Sequence, residues 1–233
     1  MTTTPTTHPP VANHAALRAE VCRIGRSLFE RGYAHATAGN ISVRLPEGQG
    51  FLITPTDACL GFLDPAKLAR LDNAGQQLAG DRASKTIMLH SAIHRAARTF
   101  DAHARCVIHT HSTHCVVLSL VRHEPELLPA ITPYFVMKVG RVPVIPYRRP
   151  GSPEAVELVR DAIQRYGVEG RPLRAVMLAR LGPVVWHDSP GAAMAVLEEL
   201  EETARLVASA TDAVEPLTET QIQELRDAFG ARW

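Results

Sequence analysis

Apolar residues recur every third or fourth position in several stretches of the chain and every second position in shorter ones. Leu17, Val21, Ile24 and Leu28, with Arg and Glu between them, predict an amphipathic helix ending near Gly32. Met88, Leu89, Ala92, Ile93 and Ala96 repeat that period after Ser84, a residue type suited to an N-cap. Further helices are expected over 112–121, 153–166, from Ser189-Pro-Gly191 to about Ala210, and over 216–229. Ile41 and Val43 alternate with Ser42 and Arg44 as a strand would, and Phe51–Thr54 closes a hairpin with it across Pro46–Gly50. Other strands are expected over 68–71, 105–111, 142–146, 175–179 and 184–186, the last two split by Gly182-Pro183. Several strand pairs are joined by short turns, so the sheet is expected to be mixed or antiparallel within one α/β domain over 14–233.

Composition narrows the partners. Among 233 residues, 25 basic side chains face 24 acidic ones, a net charge of +1, and no Lys/Arg run appears. A nucleic-acid partner is not expected. No apolar run reaches the roughly 18–20 residues of a membrane span, so no membrane partner is expected either. The Thr/Pro-rich start lacks the basic and apolar segments of a signal peptide, and residues 1–13 are expected to form a disordered tail on a cytoplasmic protein. Cys22, Cys59, Cys106 and Cys115 form no Cys-x-x-Cys pair and sit in apolar stretches, which predicts free thiols.

Candidate chemistry centres on His109-Thr-His111-Ser-Thr-His114. On a strand, residues two apart project to one face, so His109 and His111 can hold one divalent ion. A pair of polar residues at a strand end is the plainer alternative. Ser84-Lys85-Thr86 lacks the glycines of a phosphate loop, yet at a helix start it can bind an anion through backbone N–H groups and the Lys charge. No dinucleotide-binding glycine pattern and no Gly-x-Ser-x-Gly elbow occurs. Arg148-Arg149 reads as a solvated turn.

Taken together, Ala38-Gly-Asn40-Ile-Ser42, Ile53-Thr-Pro-Thr56, Ala83-Ser-Lys85, the histidine stretch, Gly182-Pro183 and Glu198–Thr203 resemble the class II aldolase/adducin family over roughly Leu17 to Val207. Within it the chain is most similar to the 3-oxo-tetronate 4-phosphate decarboxylase group, through Thr54–Gly61, Thr132–Gly140 and Ile145-Pro-Tyr147. The resemblance implies a three-layer α/β/α fold with a central, mostly antiparallel sheet. It also implies a homotetramer and a small-molecule substrate whose neighbouring oxygens are chelated by a divalent ion, typically zinc. The anion-binding positions are then Asn40, Thr56, Asp57, Ser84 and Lys85, and the metal positions are His109 and His111.

The chain departs from that pattern at functional positions. Thr86 stands where the family has its glutamate, and a hydroxyl does not replace a carboxylate as a base near neutral pH. The family's third metal histidine falls in a turn that here reads Arg180-Leu181-Gly182, and Leu181 cannot ligate. Asp57 replaces a glycine of the phosphate loop. These changes leave three readings. The first is a lyase carrying out decarboxylation or aldol-type C–C cleavage on a small hydroxy- or oxo-acid, with Tyr134, Arg180 and Thr86 as candidate catalytic residues. The second is a metal-free enzyme in a rewired pocket, and the third a non-catalytic adducin-like scaffold.

Overall fold

The computed structural model describes residues 14–46 and 48–233; the expected tail over 1–13 lies outside them. The elements run α1 (Ala15–Glu30), β1 (Asn40–Arg44), β2 (Phe51–Ile53), β3 (Ala69–Leu71), β4 (Gln77–Ala79), α2 (Ile87–Ala97), β5 (Cys106–His109) and α3 (Thr113–Val121). After a π-helical turn (Phe135–Val139) come β6 (Val144–Ile145), α4 (Pro153–Val168), β7 (Ala175–Leu178), β8 (Gly182–His187), α5 (Pro190–Ser209) and α6 (Glu219–Phe229). The strands form one sheet in the order β4-β3-β2-β1-β5-β8-β7-β6. Every neighbouring pair is antiparallel except β6–β7.

Strand alternation sorts the sheet into two packed faces. Ile41, Val43, Cys106, Ile108 and Val185 pack with residues of α1, α3, α5 and α6. Val107, Val176, Val184 and Trp186 point the other way and pack with residues of α2 and α4. Helices therefore cover both faces, the three-layer arrangement expected. The cover of α5 is deep: Leu197 and Leu200 are fully buried, each contributing roughly 2 kcal/mol through removal from water. Its entry is also fixed, because the Ser189 side chain accepts from the Ala192 N–H and Pro190 sits in the first turn.

Three local expectations change. Ser84 does not cap α2; the helix begins at Ile87 after Thr86, and the Ser84 hydroxyl is instead 2.9 Å from that of Thr86. Strand β5 ends at His109, so His111 lies beyond the sheet. Gly182-Pro183 does not separate the last strands but opens β8. Both faces of the sheet are covered, and the polar Ser42 of β1 is fully buried beneath α2. Strand β4 was not anticipated, because Gln77–Ala79 is exposed along its length and carries no apolar alternation.

Candidate functional site

The candidate site lies where β5 ends. In the β1–β5 ladder, Asn40 is the direct partner of His109. Both residues project toward α2, like Ser42 and Val107 of the same strands. Two glycines permit the crowding at this point. Gly39 (φ 89°) would place a Cβ 2.9 Å from the His109 carbonyl oxygen, and Gly182 (φ 144°) would place one 2.0 Å from that of Thr110. Only a residue without a side chain fits either position. The close approaches bring the turn before β1 and the turn before β8 against the same strand end.

His109 is nearly buried and its Nδ1 lies 2.9 Å from the Pro183 carbonyl oxygen. A carbonyl only accepts, so Nδ1 carries the proton and Nε2 keeps its lone pair. Burial, reinforced by the neighbouring His111 and opposed by the Pro183 hydrogen bond, pushes the His109 pKa down to about 4. The His111 ring sits 5.1 Å from that of His109, and burial and the nearby His35 lower its pKa as well. Both imidazoles are thus neutral bases at physiological pH. His35, which belongs to no motif, contacts His111 edge-on at 6.1 Å.

A second wall comes from α2 and the segment before it. The Thr54 hydroxyl accepts from the Ile41 N–H at 3.2 Å, and the Thr54 carbonyl accepts from the Ser84 N–H at 3.2 Å. Ser84 and Thr86 are therefore stitched to the start of β1 beside Asn40. One turn into the helix, His90 reaches back to Asn40 (Nε2 to Oδ1, 2.6 Å) and to Ser42 (Nδ1 to Oγ, 2.7 Å). Ser42 Oγ in turn lies 2.9 Å from His94 Nε2. His90 and His94 escaped notice in the sequence because they share a helix read only through its apolar positions. Their signal is an i, i+4 histidine pair on the buried face.

The remaining candidates lie at the rim or away from it. Lys85 and Asp57 are exposed; Asp57 adopts a left-handed conformation (φ 57°) and makes no ion pair among the described residues. Thr56 donates its N–H to the Arg82 carbonyl and lines a cleft of about 360 Å³ with Pro55, Cys59, Phe62 and Lys67, whose walls include neither His109 nor His111. Arg180 is exposed at the tip of the β7–β8 turn (φ 66°), and the Ser119 hydroxyl accepts from its N–H at 3.1 Å. Tyr134 is 58% exposed and lies under Lys138, 5.1 Å from ring centre to Nζ; no contact joins it to the histidine pair. His114 is committed elsewhere: its N–H and Nδ1 both meet the buried Glu201 carboxylate, at 2.8 and 2.9 Å, which satisfies the start of α3.

The donor set does not fit a three-ligand metal site. His109 and His111 offer two lone pairs, but Leu181 fills the third position and packs into the apolar cluster of α2 and α4. Among the described residues no three His, Cys, Asp or Glu side chains are placed to hold one ion. Two protein donors fall short of the three that catalytic zinc normally has. All four cysteines are free, as expected, and Arg148 pairs with Glu154 in a solvated turn. No helix among the described residues is long and apolar enough to cross a membrane.

Comparison with known proteins agrees with this geometry. A 3-oxo-tetronate 4-phosphate decarboxylase of Cupriavidus necator is 49% identical over 230 residues, covering 96% of this chain and all of that protein. Its Escherichia coli counterpart is 39% identical, covering 91% and 95%. The crystal structure of YgbL from Escherichia coli superposes with a TM-score of 0.80 at 38% identity, over 91% of this chain and 98% of that one. An L-fuculose 1-phosphate aldolase superposes with a TM-score of 0.79 at 24% identity over 95% of this chain, a likeness of fold. The family model for the class II aldolase and adducin N-terminal domain matches residues 19–208, and the chain belongs to that family.

Proposed function

We propose that this protein is a carbon–carbon lyase that decarboxylates a small phosphorylated 3-oxo acid of the kind for which its relatives are named. The observation that carries the reading is Thr86. Aldol cleavage must remove a hydroxyl proton as the bond breaks and needs a base at that point. Loss of carbon dioxide from a 3-oxo acid does not. The C1–C2 bond breaks, its electron pair moves toward C3, and the C3 carbonyl oxygen takes up the negative charge as CO2 leaves. Water then protonates C2. The step asks for an ionised carboxylate, a held phosphate and positive charge beside the developing oxyanion, and no carboxylate base.

The chain supplies groups for each demand. Asn40, Ser84 and the Lys85 ammonium line the wall where α2 begins, suited to a phosphate through N–H, O–H and charge. Thr56 and Asp57 flank it as rim residues. Arg180 projects from the turn that Gly182 holds against β5, and its guanidinium stabilises the enolate oxygen. His109 and His111, both neutral, accept hydrogen bonds from substrate hydroxyls. Tyr134 takes no part in this step. No step is routed through a metal, since the donors present do not fit one.

Residues 14–233 act as one domain in this reading, supported by a single sheet built from strands spread across the sequence. Four free thiols suit a cytoplasmic protein. The exposed Val117, Leu120 and Val121 along α3 suit self-association into the homotetramer that the resemblance implies. The test pairs two substrates. With 3-oxo-tetronate 4-phosphate, CO2 and a three-carbon ketose phosphate are expected; with L-fuculose 1-phosphate, no cleavage. Cleavage of the second without CO2 from the first would refute the proposal.

A further inference from the structure

The chain Asn40–His90–Ser42–His94 plays no part in the step above, yet all four side chains are buried and joined by three short hydrogen bonds of 2.6, 2.7 and 2.9 Å. A neutral imidazole has one donor and one acceptor nitrogen, and a hydroxyl has one proton to give. Ser42 Oγ is fully buried and has only these two histidines as partners among the described residues, so its proton goes to one of them and the chain runs in one of two senses. In the first, His94 Nε2–H donates to Ser42, Ser42 donates to His90 Nδ1, and His90 Nε2–H donates to the Asn40 carbonyl oxygen. In the second every bond reverses, and Asn40 turns its NH2 inward to donate to His90.

The far end selects between them. His94 Nδ1 is buried and has no hydrogen-bond partner. The first sense leaves a bare lone pair there; the second leaves an N–H with nothing to receive it. A buried orphan N–H is the rarer and costlier defect. The surroundings add to the bias. His94 stacks on Phe51 at 5.2 Å, and Arg44 lies 5.8 Å above that ring. The cleft beside them, about 540 Å³, is lined by Arg44, Phe51, Arg95 and Arg98 and by no carboxylate. Positive charge on this side of the ring favours a lone pair at Nδ1 over an N–H dipole there.

We propose that this arginine-biased chain runs in the first sense only, so that His90, Ser42 and His94 are positioning residues that lock the Asn40 amide with its oxygen inward and its NH2 toward the pocket. Among the described residues nothing accepts from Asn40 Nδ2. The group that meets Asn40 must then be a hydrogen-bond acceptor, an ionised phosphate oxygen above all, and an N–H or protonated donor is excluded. Both His90 nitrogens are engaged, so His90 neither ligates a metal nor relays a proton to substrate. The inference rests on the phosphorylated-acid reading for the identity of the anion, but not for the direction of the chain.

The test uses the full-length protein labelled with ¹⁵N at histidine and asparagine, at neutral pH. Long-range ¹H–¹⁵N spectra, with signals assigned by their loss in His90→Asn and His94→Gln, are expected to show both histidines protonated at Nε2. Protonation of either at Nδ1 overturns the proposal. Titration with inorganic phosphate should then shift the Asn40 side-chain NH2 signals; phosphate that binds and leaves them unmoved also overturns it. Ser42→Ala breaks the chain at its centre and should weaken phosphate binding about tenfold, whereas Ser42→Thr, which keeps the hydroxyl, should restore it. If wild type binds no phosphate, the phosphorylated-acid reading fails, while the tautomers still decide the direction of the chain.

Discussion

The two sides of the candidate site at the end of β5, the β1–α2 side and the β7–β8 side, hold their side chains by opposite means. The β1–α2 wall is a closed polar network. Asn40 is held by His90, Thr54 is shared between Ile41 and Ser84, and Thr86 is tied to Ser84. The β7–β8 wall has an apolar centre: Leu181 is packed into apolar surroundings, and the charge sits outside it on the exposed Arg180. A buried network resists piecemeal change because each member leaves an unsatisfied partner when removed. A turn that touches the pocket through one side chain can be rewritten alone. The two sides therefore differ in how many partners each residue has.

Breaking the second wall should have the largest effect on catalysis. Arg180→Ala removes the group proposed to stabilise the enolate and should lower kcat for decarboxylation about 10²- to 10³-fold. The fold should be retained, because the side chain is exposed. Initial rates of CO2 release measure it. Breaking the contact between the walls comes next. Gly182→Ala would set a Cβ 2.0 Å from the Thr110 oxygen, and a destabilisation of about 3 kcal/mol or more is expected in urea unfolding.

Acid sharpens the comparison because the first wall carries the buried histidines. Burial lowers His94 to about 3, with Arg44 and Arg98 assisting, and His109 to about 4; His90 is also lowered, first by burial. Unfolded histidines titrate near 6.5. Between these values the unfolded chain binds more protons than the folded one, so stability falls as pH drops from about 6.5 toward 4 and is level above about 7. The loss is on the order of 3 kcal/mol each for His94 and His109 by pH 4. Melting temperatures at pH 7.5 and 4.5 check this, and His94→Phe should flatten the slope.

The fold was legible where one period dominated. Leu17 to Leu28 predicted α1, the alternation at Ile41 and Val43 predicted β1, and Ser189-Pro190 marked the start of α5 within a residue. β4 was not legible, since an exposed edge strand needs no apolar pattern. Part of the candidate site was legible as residue types: the structure brings Asn40, His109 and His111 together at the end of β5. What the sequence could not show was the cross-strand pairing that places Asn40 on His109, or that two helix histidines complete a wall. Those depend on which helix face meets a polar stretch of strand. Tyr134 makes the same point: its exposure and its contact with Lys138 could not be read from the stretch of sequence around it.

Smaller effects refine the contrast. Leu181→His exchanges an apolar contact for a third imidazole beside His109 and His111. It should cost about 1–2 kcal/mol of stability and raise zinc affinity by at least tenfold, read by isothermal titration against wild type. At the far end of the scale, Arg148→Ala removes a solvated ion pair with Glu154 and should leave the melting temperature unchanged.

The chemistry assigned to the pocket is tested most directly by 3-oxo-tetronate 4-phosphate carrying ¹³C at its carboxyl carbon, followed by NMR during turnover. The label should pass quantitatively into CO2 and bicarbonate, while a single solvent hydron appears on the adjacent carbon of the product. Label that remains bonded to carbon in any fragment would contradict the account.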